Sequence, residues 1–286
     1  MKFKRYHCWL LGGLSMMVQA AFATPTQILD VERAFLPQNY QILDGPEQQV
    51  LLITSLANTA LARGVAILVS ESGMSPVSNS SLAPLAERLN DIGWVTMLVA
   101  APAVGLNPSV VGDSTDTKQE NSDPQATVSS QAAYQRTSQM DSANFLQHQA
   151  QLVASMQLIV EQSRQYPGFL LVIAQGTSAA WLTKIYAEQQ LPAPDALVVI
   201  SPFWPARQYN SLLASQVAMT TMPVLDIYHT RDNNWSVQSA DKRKISALKA
   251  LKLQYRQREI SHLDDPAQNA SQLKKEIYGW LHYLGW

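Results

Sequence analysis

Short apolar segments alternate with helix-like segments along most of this chain, and this alternation restricts the possible folds. Five continuous apolar runs are typical of strands buried on both faces: VAILVS (65–70), WVTMLVA (94–100), FLLVIA (169–174), ALVVIS (196–201) and MPVLDIYH (222–229). Strands that follow one another through helices form parallel sheets, because a parallel pair needs a crossover connection. The sequence therefore predicts one α/β domain, a three-layer sandwich with a mostly parallel sheet between two layers of helices.

Two further strands are predicted at 48–58 and 251–260, and helices at 82–93, 142–166, 178–190, 237–250 and 267–283. The alternation stops between residues 103 and 141. A segment at about 105–135 is rich in Ser, Thr, Asp and Gln and nearly free of apolar residues. Such a composition cannot bury enough surface to offset its ordering entropy. We predict a flexible insertion there, either a lid or a plain surface insertion.

The first 23 residues have the pattern of a secretory signal peptide. A basic start (MKFKR) precedes an apolar stretch at 9–18, and AFA at 21–23 is an Ala-x-Ala cleavage motif. The apolar stretch is shorter than the roughly 20 residues of a membrane span. We expect cleavage before Thr24, which leaves a single exported domain at 24–286, periplasmic in a bacterium. An uncleaved anchor is the alternative.

Composition excludes several classes of function. The single cysteine, Cys8, lies in the leader, so the mature chain has no thiol for disulfides, catalysis or metal binding. After cleavage 18 Lys+Arg would face 22 Asp+Glu, a net charge of −4, and no further run reaches membrane length. The basic residues look scattered and the pI is about 6.5, so no nucleic-acid partner is expected. A small molecule or an envelope protein remains as the partner.

No cofactor or metal site is expected either. Neither G-x-G-x-x-G nor G-x-x-x-x-G-K-[ST] occurs in the sequence. His229 and Asp232 are close in sequence, but no third ligand stands at a recognised spacing.

The ends of three predicted strands carry the residues best suited to chemistry. FLLVIA continues into QGTSAA, PVLDIY into HTRDNNW, and LQYRQREI into SHLDDP. In open parallel sheets the functional loops lie at the carboxyl ends of strands. In chain order these ends supply a small-residue turn, Asp232 and His262, which is the nucleophile, acid, histidine order of α/β-hydrolases.

Over roughly residues 48–284 the chain resembles the α/β-hydrolase superfamily. More closely, it is similar to a group of secreted bacterial α/β-hydrolase-like proteins classed as a domain of unknown function. The resemblance is carried by these stretches: RGVAILVSESG, LAPLAERLNDIGWVTMLVAAP, FLLVIAQGTSAAW, ALVVISPFWP, PVLDIYHTRD and REISHLDDP. It implies the fold and brings no established activity with it.

Two registers fit the turn after FLLVIA. In the first, the strand ends at Ile173 and the nucleophile position holds Gly176, which has no side chain to form an acyl-enzyme; Ser178 is then a helix N-cap. In the second, Gly176-Thr177-Ser178-Ala179-Ala180 reads as G-x-S-x-A with Ser178 as nucleophile, and polar Gln175 must end a seven-residue buried strand. The strand pattern and the resemblance favour the first register.

The other candidate residues have both a catalytic and an ordinary interpretation. Asp232 fits a triad acid that orients His262, but it is also a common turn former. His262 fits the general base, or a surface-loop histidine, and Asp264 and Asp265 would raise its pKa if they approached it.

The loop after VAILVS, Glu71-Ser72-Gly73-Met74, occupies the position of an oxyanion loop or is a plain turn. A carboxylate at Glu71 would oppose a developing negative charge. With Gln175 and Thr177, this loop supplies the candidate substrate-binding residues Ser72, Gly73 and Met74.

Three functional hypotheses follow. The first is a hydrolase-like protein without a nucleophile, acting as a binding or envelope-associated protein. The second is a serine esterase or acyl hydrolase with Ser178 attacking, His262 as base and Asp232 as its partner. The third is activation of a water near Gly176 by His262 and Asp232.

Overall fold

A central sheet organises the computed structural model, which describes residues 25–34, 39–45, 49–78, 80, 82–102, 142–261 and 263–286. Within these residues eight strands pair in the order β1-β2-β4-β3-β5-β6-β7-β8. They are β1 (Tyr40–Asp44), β2 (Gln49–Ser55), β3 (Gly64–Val69), β4 (Trp94–Val99), β5 (Phe169–Gln175), β6 (Ala196–Ile200), β7 (Val224–His229) and β8 (Tyr255–Ile260). The six strands from β3 to β8 are parallel. β1 and β2 extend the sheet in antiparallel fashion.

Helices cover both faces of this sheet. They are α1 (Pro25–Ala34), α2 (Ala83–Asn90), α3 (Ser142–Ser163), α4 (Gly176–Ala187), α5 (Arg207–Asn210), α6 (Leu213–Met219), α7 (Asn234–Lys249) and α8 (Pro266–Tyr283). Side chains that alternate along each strand enter two separate apolar layers, one against α3, α4 and α6 and the other against α2 and α8. The predicted three-layer α/β sandwich is therefore confirmed.

The predicted strands are all present, with several shifted boundaries. β5 runs to Gln175, two residues beyond the end assumed in the first register, and α4 begins at Gly176 rather than at 178. The amide of Gln175 at the end of this buried strand is satisfied in part, because Nε2 donates to the carbonyl oxygen of Ser80 at 3.3 Å whereas Oε1 is buried with no hydrogen-bond partner among the described residues. α1 and β1 were not predicted, since the amino-terminal segment lacks a long apolar run.

Two predicted segments lie outside the described residues. These are the signal peptide at 1–23 and the insertion at 105–135, and both stay predictions. Among the helices of the described part, none combines the length and the apolar character needed to cross a membrane.

One ion pair lies inside the apolar structure. Arg243 of α7 and Asp226 of β7 are both fully buried, and the guanidinium donates to both carboxylate oxygens, at 2.7 and 3.0 Å. Tyr255 and Gln257 of β8 donate to the same carboxylate at 2.6 and 3.0 Å. The charge on Asp226 is thus surrounded by donors from the neighbouring strand and the helix above it, which joins α7 to the edge of the sheet.

We expect Arg243→Met to lower the free energy of unfolding by about 3–5 kcal/mol, because it leaves a buried carboxylate without its cation. Arg258→Met is the matched control, since it removes a partly exposed pair with Glu276 and should cost less than about 1 kcal/mol. Urea denaturation measures both variants. Equal and small effects would contradict a structural role for the buried pair.

Candidate functional site

A cavity of about 440 Å³ opens at the carboxyl ends of the parallel strands. Its wall combines the loop after β3, the turn between β5 and α4, the ends of β6 and β7, and the start of α8. The lining residues include Glu71, Ser80, Gln175, Gly176, Ser201, Phe203, His229, Arg231, Asp232, Asp264 and Asn269. This is the edge at which the sequence predicted functional loops, because parallel strands bring their carboxyl ends together.

The turn between β5 and α4 is centred on Gly176. Its φ of 59° lies in the left-handed region, which residues with a Cβ adopt only with strain. A strand that ends at Gln175 and a helix that begins at Gly176 leave a single residue to reverse the backbone. Gly176 thus has the position and conformation of the residue at the tip of a strand-to-helix elbow.

The space beside Gly176 is filled by the side chain of Glu71. A Cβ built on Gly176 would lie 2.5 Å from Cδ and 2.6 Å from Oε2 of Glu71. The Cβ atoms of real residues do not approach other heavy atoms this closely. The carboxylate therefore stands where the side chain of a residue at the elbow tip would project. Burial, and secondarily the negative charge of Asp232, raise the pKa of Glu71 above its ordinary value.

Ser178 lies two residues further on, in the interior. It is completely buried, and its hydroxyl donates to the carbonyl oxygen of Ser70 at 2.7 Å. The interpretation of Ser178 as a helix N-cap is wrong, because α4 already begins at Gly176 and the capping position is Gln175. Its hydroxyl instead ties α4 to the end of β3.

A chain of hydrogen bonds connects Ser178 to a histidine that sequence reasoning missed. Ser72 Oγ lies 3.3 Å from Ser178 Oγ and 3.3 Å from His148 Nε2. Since Ser178 gives its only hydroxyl proton to Ser70, the contacts are satisfied if Ser72 donates to Ser178 and His148 donates to Ser72. In that direction His148 is a donor and takes no proton from Ser178. No sequence signal marked His148, which stands within a predicted helix.

Asp232 pairs with the histidine that ends its own strand. His229 Nδ1 lies 3.8 Å from Asp232 Oδ2 and 3.4 Å from Ser201 Oγ, and His229 Nε2 lies 3.2 Å from Asn269 Oδ1. Burial would raise the pKa of Asp232, but the attraction of His229, the hydroxyl of Ser201 and the backbone N–H of Asn233 outweigh it and lower that pKa. Asp232 is therefore held as a carboxylate inside the cavity.

The other predicted site residues differ in whether they line the cavity, and one of them lies outside the described residues. Gln175 lines the cavity, whereas Ser72, Gly73, Met74 and Thr177 are not among its lining residues. His262 is outside the described residues, so its expected pairing with Asp232 stays a prediction.

In the sequence, His229 is a candidate only as a metal ligand, and Ser201 and Asn269 are not among the predicted site residues. The available signal was position, because His229 and Ser201 end two predicted strands. Among the described residues, no group of three or more His, Cys, Asp or Glu could hold a metal ion.

The whole sequence, compared with known families, matches a model described as "Protein of unknown function (DUF3530)" over residues 26–283. The chain belongs to the DUF3530 family. No curated protein matches the sequence significantly. The resemblance recognised in the sequence, to an α/β-hydrolase-like family of unknown function, is confirmed.

Solved structures share the fold of this DUF3530 protein. Est1E from Butyrivibrio proteoclasticus superposes with a TM-score of 0.54 at 10% identity, covering 85% of this chain and 99% of that one. An α/β serine hydrolase without a lid from Xanthomonas campestris gives 0.53 at 14% identity, covering 87% and 97%. An α/β serine hydrolase homologue from Coxiella burnetii gives 0.53 at 12% identity, covering 85% and 97%. At these identities the comparison establishes the α/β-hydrolase fold.

We expect Glu71→Gln to raise the melting temperature at pH 7. The folded pKa of Glu71 lies above its ordinary value of 4.5, so the fold favours the protonated form. The stability that protonated Glu71 contributes to the fold is fully present below the pKa of Glu71 in the unfolded state. It is lost as the pH rises through the pKa of Glu71 in the folded state. The difference between variant and wild type should therefore shrink as the pH falls toward 4.5, as thermal unfolding at several pH values would measure. The exposed Glu87→Gln is the control, and an equal gain in that variant would contradict the burial of Glu71 as the cause.

Proposed function

We propose that this protein is a small-molecule-binding member of the α/β-hydrolase fold that forms no acyl-enzyme. The observation that carries the proposal is the contact between Gly176 and Glu71. The elbow tip has no side chain, and the carboxylate of Glu71 fills the place where a nucleophile would stand. A hydrolase site needs an attacking atom at that point.

Charge supports the same conclusion. Acyl transfer places a negative oxygen next to the elbow, and hydrolases stabilise it with donors. Here Glu71 and Asp232 line the interior of the cavity, and both are acceptors when ionised. When ionised, the carboxylate of Glu71 beside the elbow would oppose the developing oxyanion.

The two catalytic alternatives have less support. A serine esterase would need Ser178 to face the cavity, but Ser178 is fully buried and bonded to Ser70. Activation of a water at the tip of the elbow would need that position to be free, and the side chain of Glu71 fills it.

The ligand suited to this cavity has a cationic or hydrogen-bond-donating end. Glu71 and Asp232 supply acceptors in the interior, while Arg231 and Asp264 are exposed at the rim and balance each other in charge. A primary ammonium group on a short apolar chain would pair with the interior carboxylates. We assign the ligand to this class.

The leader-like amino-terminal pattern supports a role outside the cytoplasm. The basic start, apolar stretch and Ala-x-Ala motif of residues 1–23 are typical of a cleaved leader. We therefore propose that binding takes place in the periplasm, in association with the cell envelope.

We expect the chain from Thr24 onward to stay unlabelled by a fluorophosphonate probe, because the serine next to the elbow, Ser178, is fully buried and does not line the cavity. Intact mass measures the adduct, with a known serine hydrolase as positive control and the heat-denatured chain as background. Ser178→Ala is the matched variant. An adduct on the wild type that Ser178→Ala removes would overturn the proposal.

We also expect n-hexylammonium to bind more tightly than hexanoate or 1-hexanol, because the interior of the cavity is lined by carboxylates. Saturation-transfer NMR ranks the three ligands. Glu71→Gln should weaken hexylammonium alone, and Glu87→Gln, away from the cavity, should leave the ranking unchanged. Stronger binding of hexanoate would contradict the assigned ligand class.

A further inference from the structure

An exposed apolar surface lies at the end of the sheet opposite the cavity. There α6 ends before β7 and α7 ends before β8, so both helix ends and the loop at 250–254 meet at the amino ends of these strands. We call it the basic apolar face, and it comprises Met219, Leu248, Lys249, Leu251, Lys252 and Leu253. Leu251 and Leu253 are 80% and 89% exposed, and Met219 and Leu248 are 63% and 64% exposed.

The loop is held firmly in this position. Lys252 donates to the carbonyl oxygens of Thr220 and Met222, the latter at 2.8 Å. These bonds fix the loop after α7 against the segment after α6. The four exposed apolar side chains therefore belong to one continuous part of the surface.

The leucine at the turn is kept there against a backbone preference. Leu251 has a φ of 53°, and the N–H groups of Leu251 and Lys252 donate to the carbonyls of Leu248 and Ala247, which is the arrangement of a Schellman motif. Glycine is the usual residue at that position, because a side chain there is strained. The fold thus presents a large apolar side chain to solvent where a glycine would be more stable.

Positive charge is concentrated around this face, although the basic residues look scattered along the chain as a whole. Residues 242–258 contain seven of the 21 Lys+Arg and none of the 22 Asp+Glu. Three of the seven are engaged within the chain: Arg243 pairs with Asp226, Arg258 with Glu276, and Lys252 donates to the carbonyl oxygens of Thr220 and Met222. The adjoining segment 211–224 carries no charged residue at all. The acidic residues that flank residues 242–258 are Asp241, two turns before the end of α7, and Glu259, near the end of β8.

We propose that the basic apolar face docks on a bilayer of anionic lipid. Exposed leucines enter the boundary of the acyl chains while the exposed ammonium of Lys249 contacts the phosphates, as in other interfacial surfaces. A second copy of this chain fits less well, because it would bring like charges together. Since the cavity lies at the opposite end of the sheet, a docked protein keeps it open to the aqueous side.

The test is co-sedimentation of the chain from Thr24 onward with vesicles. This chain contains every element described above and lacks the apolar leader, which would bind lipid by itself. We expect binding to vesicles of one part phosphatidylglycerol to three parts phosphatidylethanolamine, and none to pure phosphatidylcholine. Binding should weaken as salt is raised, since the charged contribution is screened. Equal binding to both vesicles would overturn the proposal.

Leu251→Gly separates docking from folding. It removes the exposed side chain and relieves the strain at φ 53°, so the melting temperature should stay the same or rise. The partition coefficient onto anionic vesicles should fall by about tenfold, because a buried leucine contributes that much or more. Lys249→Gln should lower it by roughly fivefold.

The matched control is Leu146→Ser, in α3 near the other end of the sheet. Leu146 is 65% exposed, like Leu248, and its loss should leave partition unchanged. An unchanged partition for Leu251→Gly would overturn the proposal. So would a dimer in sedimentation velocity that Leu251→Gly dissociates in the absence of lipid binding.

Discussion

Burial of the central strands on both faces is the constraint on which the rest of this structure depends. β3, β4 and β6 are buried along their whole length, and helices cover them above and below. Away from its ends, a strand in that position holds a polar side chain at low cost only where a buried partner satisfies it, as Asn90 does for Thr96 of β4. Chemistry is therefore confined to the strand ends, and the parallel direction of β3 to β8 collects their carboxyl ends in one place.

At the carboxyl ends of these strands, the turn between β5 and α4 and the loop after β3 pack against each other. Gly176 leaves a gap that Glu71 fills, and a side chain at 176 would be excluded unless Glu71 moved. The carboxylate lies at the first residue of α4, where the helix dipole favours a negative charge, although burial raises its pKa. The tip of the elbow is thus a glycine in the left-handed conformation, and the acid beside it arrives from another loop.

A buried polar network and a strained, exposed leucine contrast with each other in this fold. Asp226 and Arg243 are fully buried, yet each has its hydrogen-bonding partners, so the edge strand β8 and α7 are joined by a satisfied network. Leu251 has the opposite character, an apolar side chain in solvent on a backbone conformation suited to glycine. The first feature stabilises the fold. The strain at Leu251 is not offset by packing of its exposed side chain. For this reason it points to an interaction outside the chain.

The sequence by itself determined the layers of this protein and the general position of its site. Apolar runs of strand length and helical periodicity are local properties, so the parallel sheet, its covering helices and the strand ends at Asp232 and Gln175 could be read from them. Only the tertiary structure decided what each polar residue contacts. Ser178 matched a catalytic motif but is buried against Ser70, while Glu71 lies 105 positions from Gly176 along the chain and yet fills the space beside it. Contacts between distant residues depend on strand order and register, which no local pattern contains.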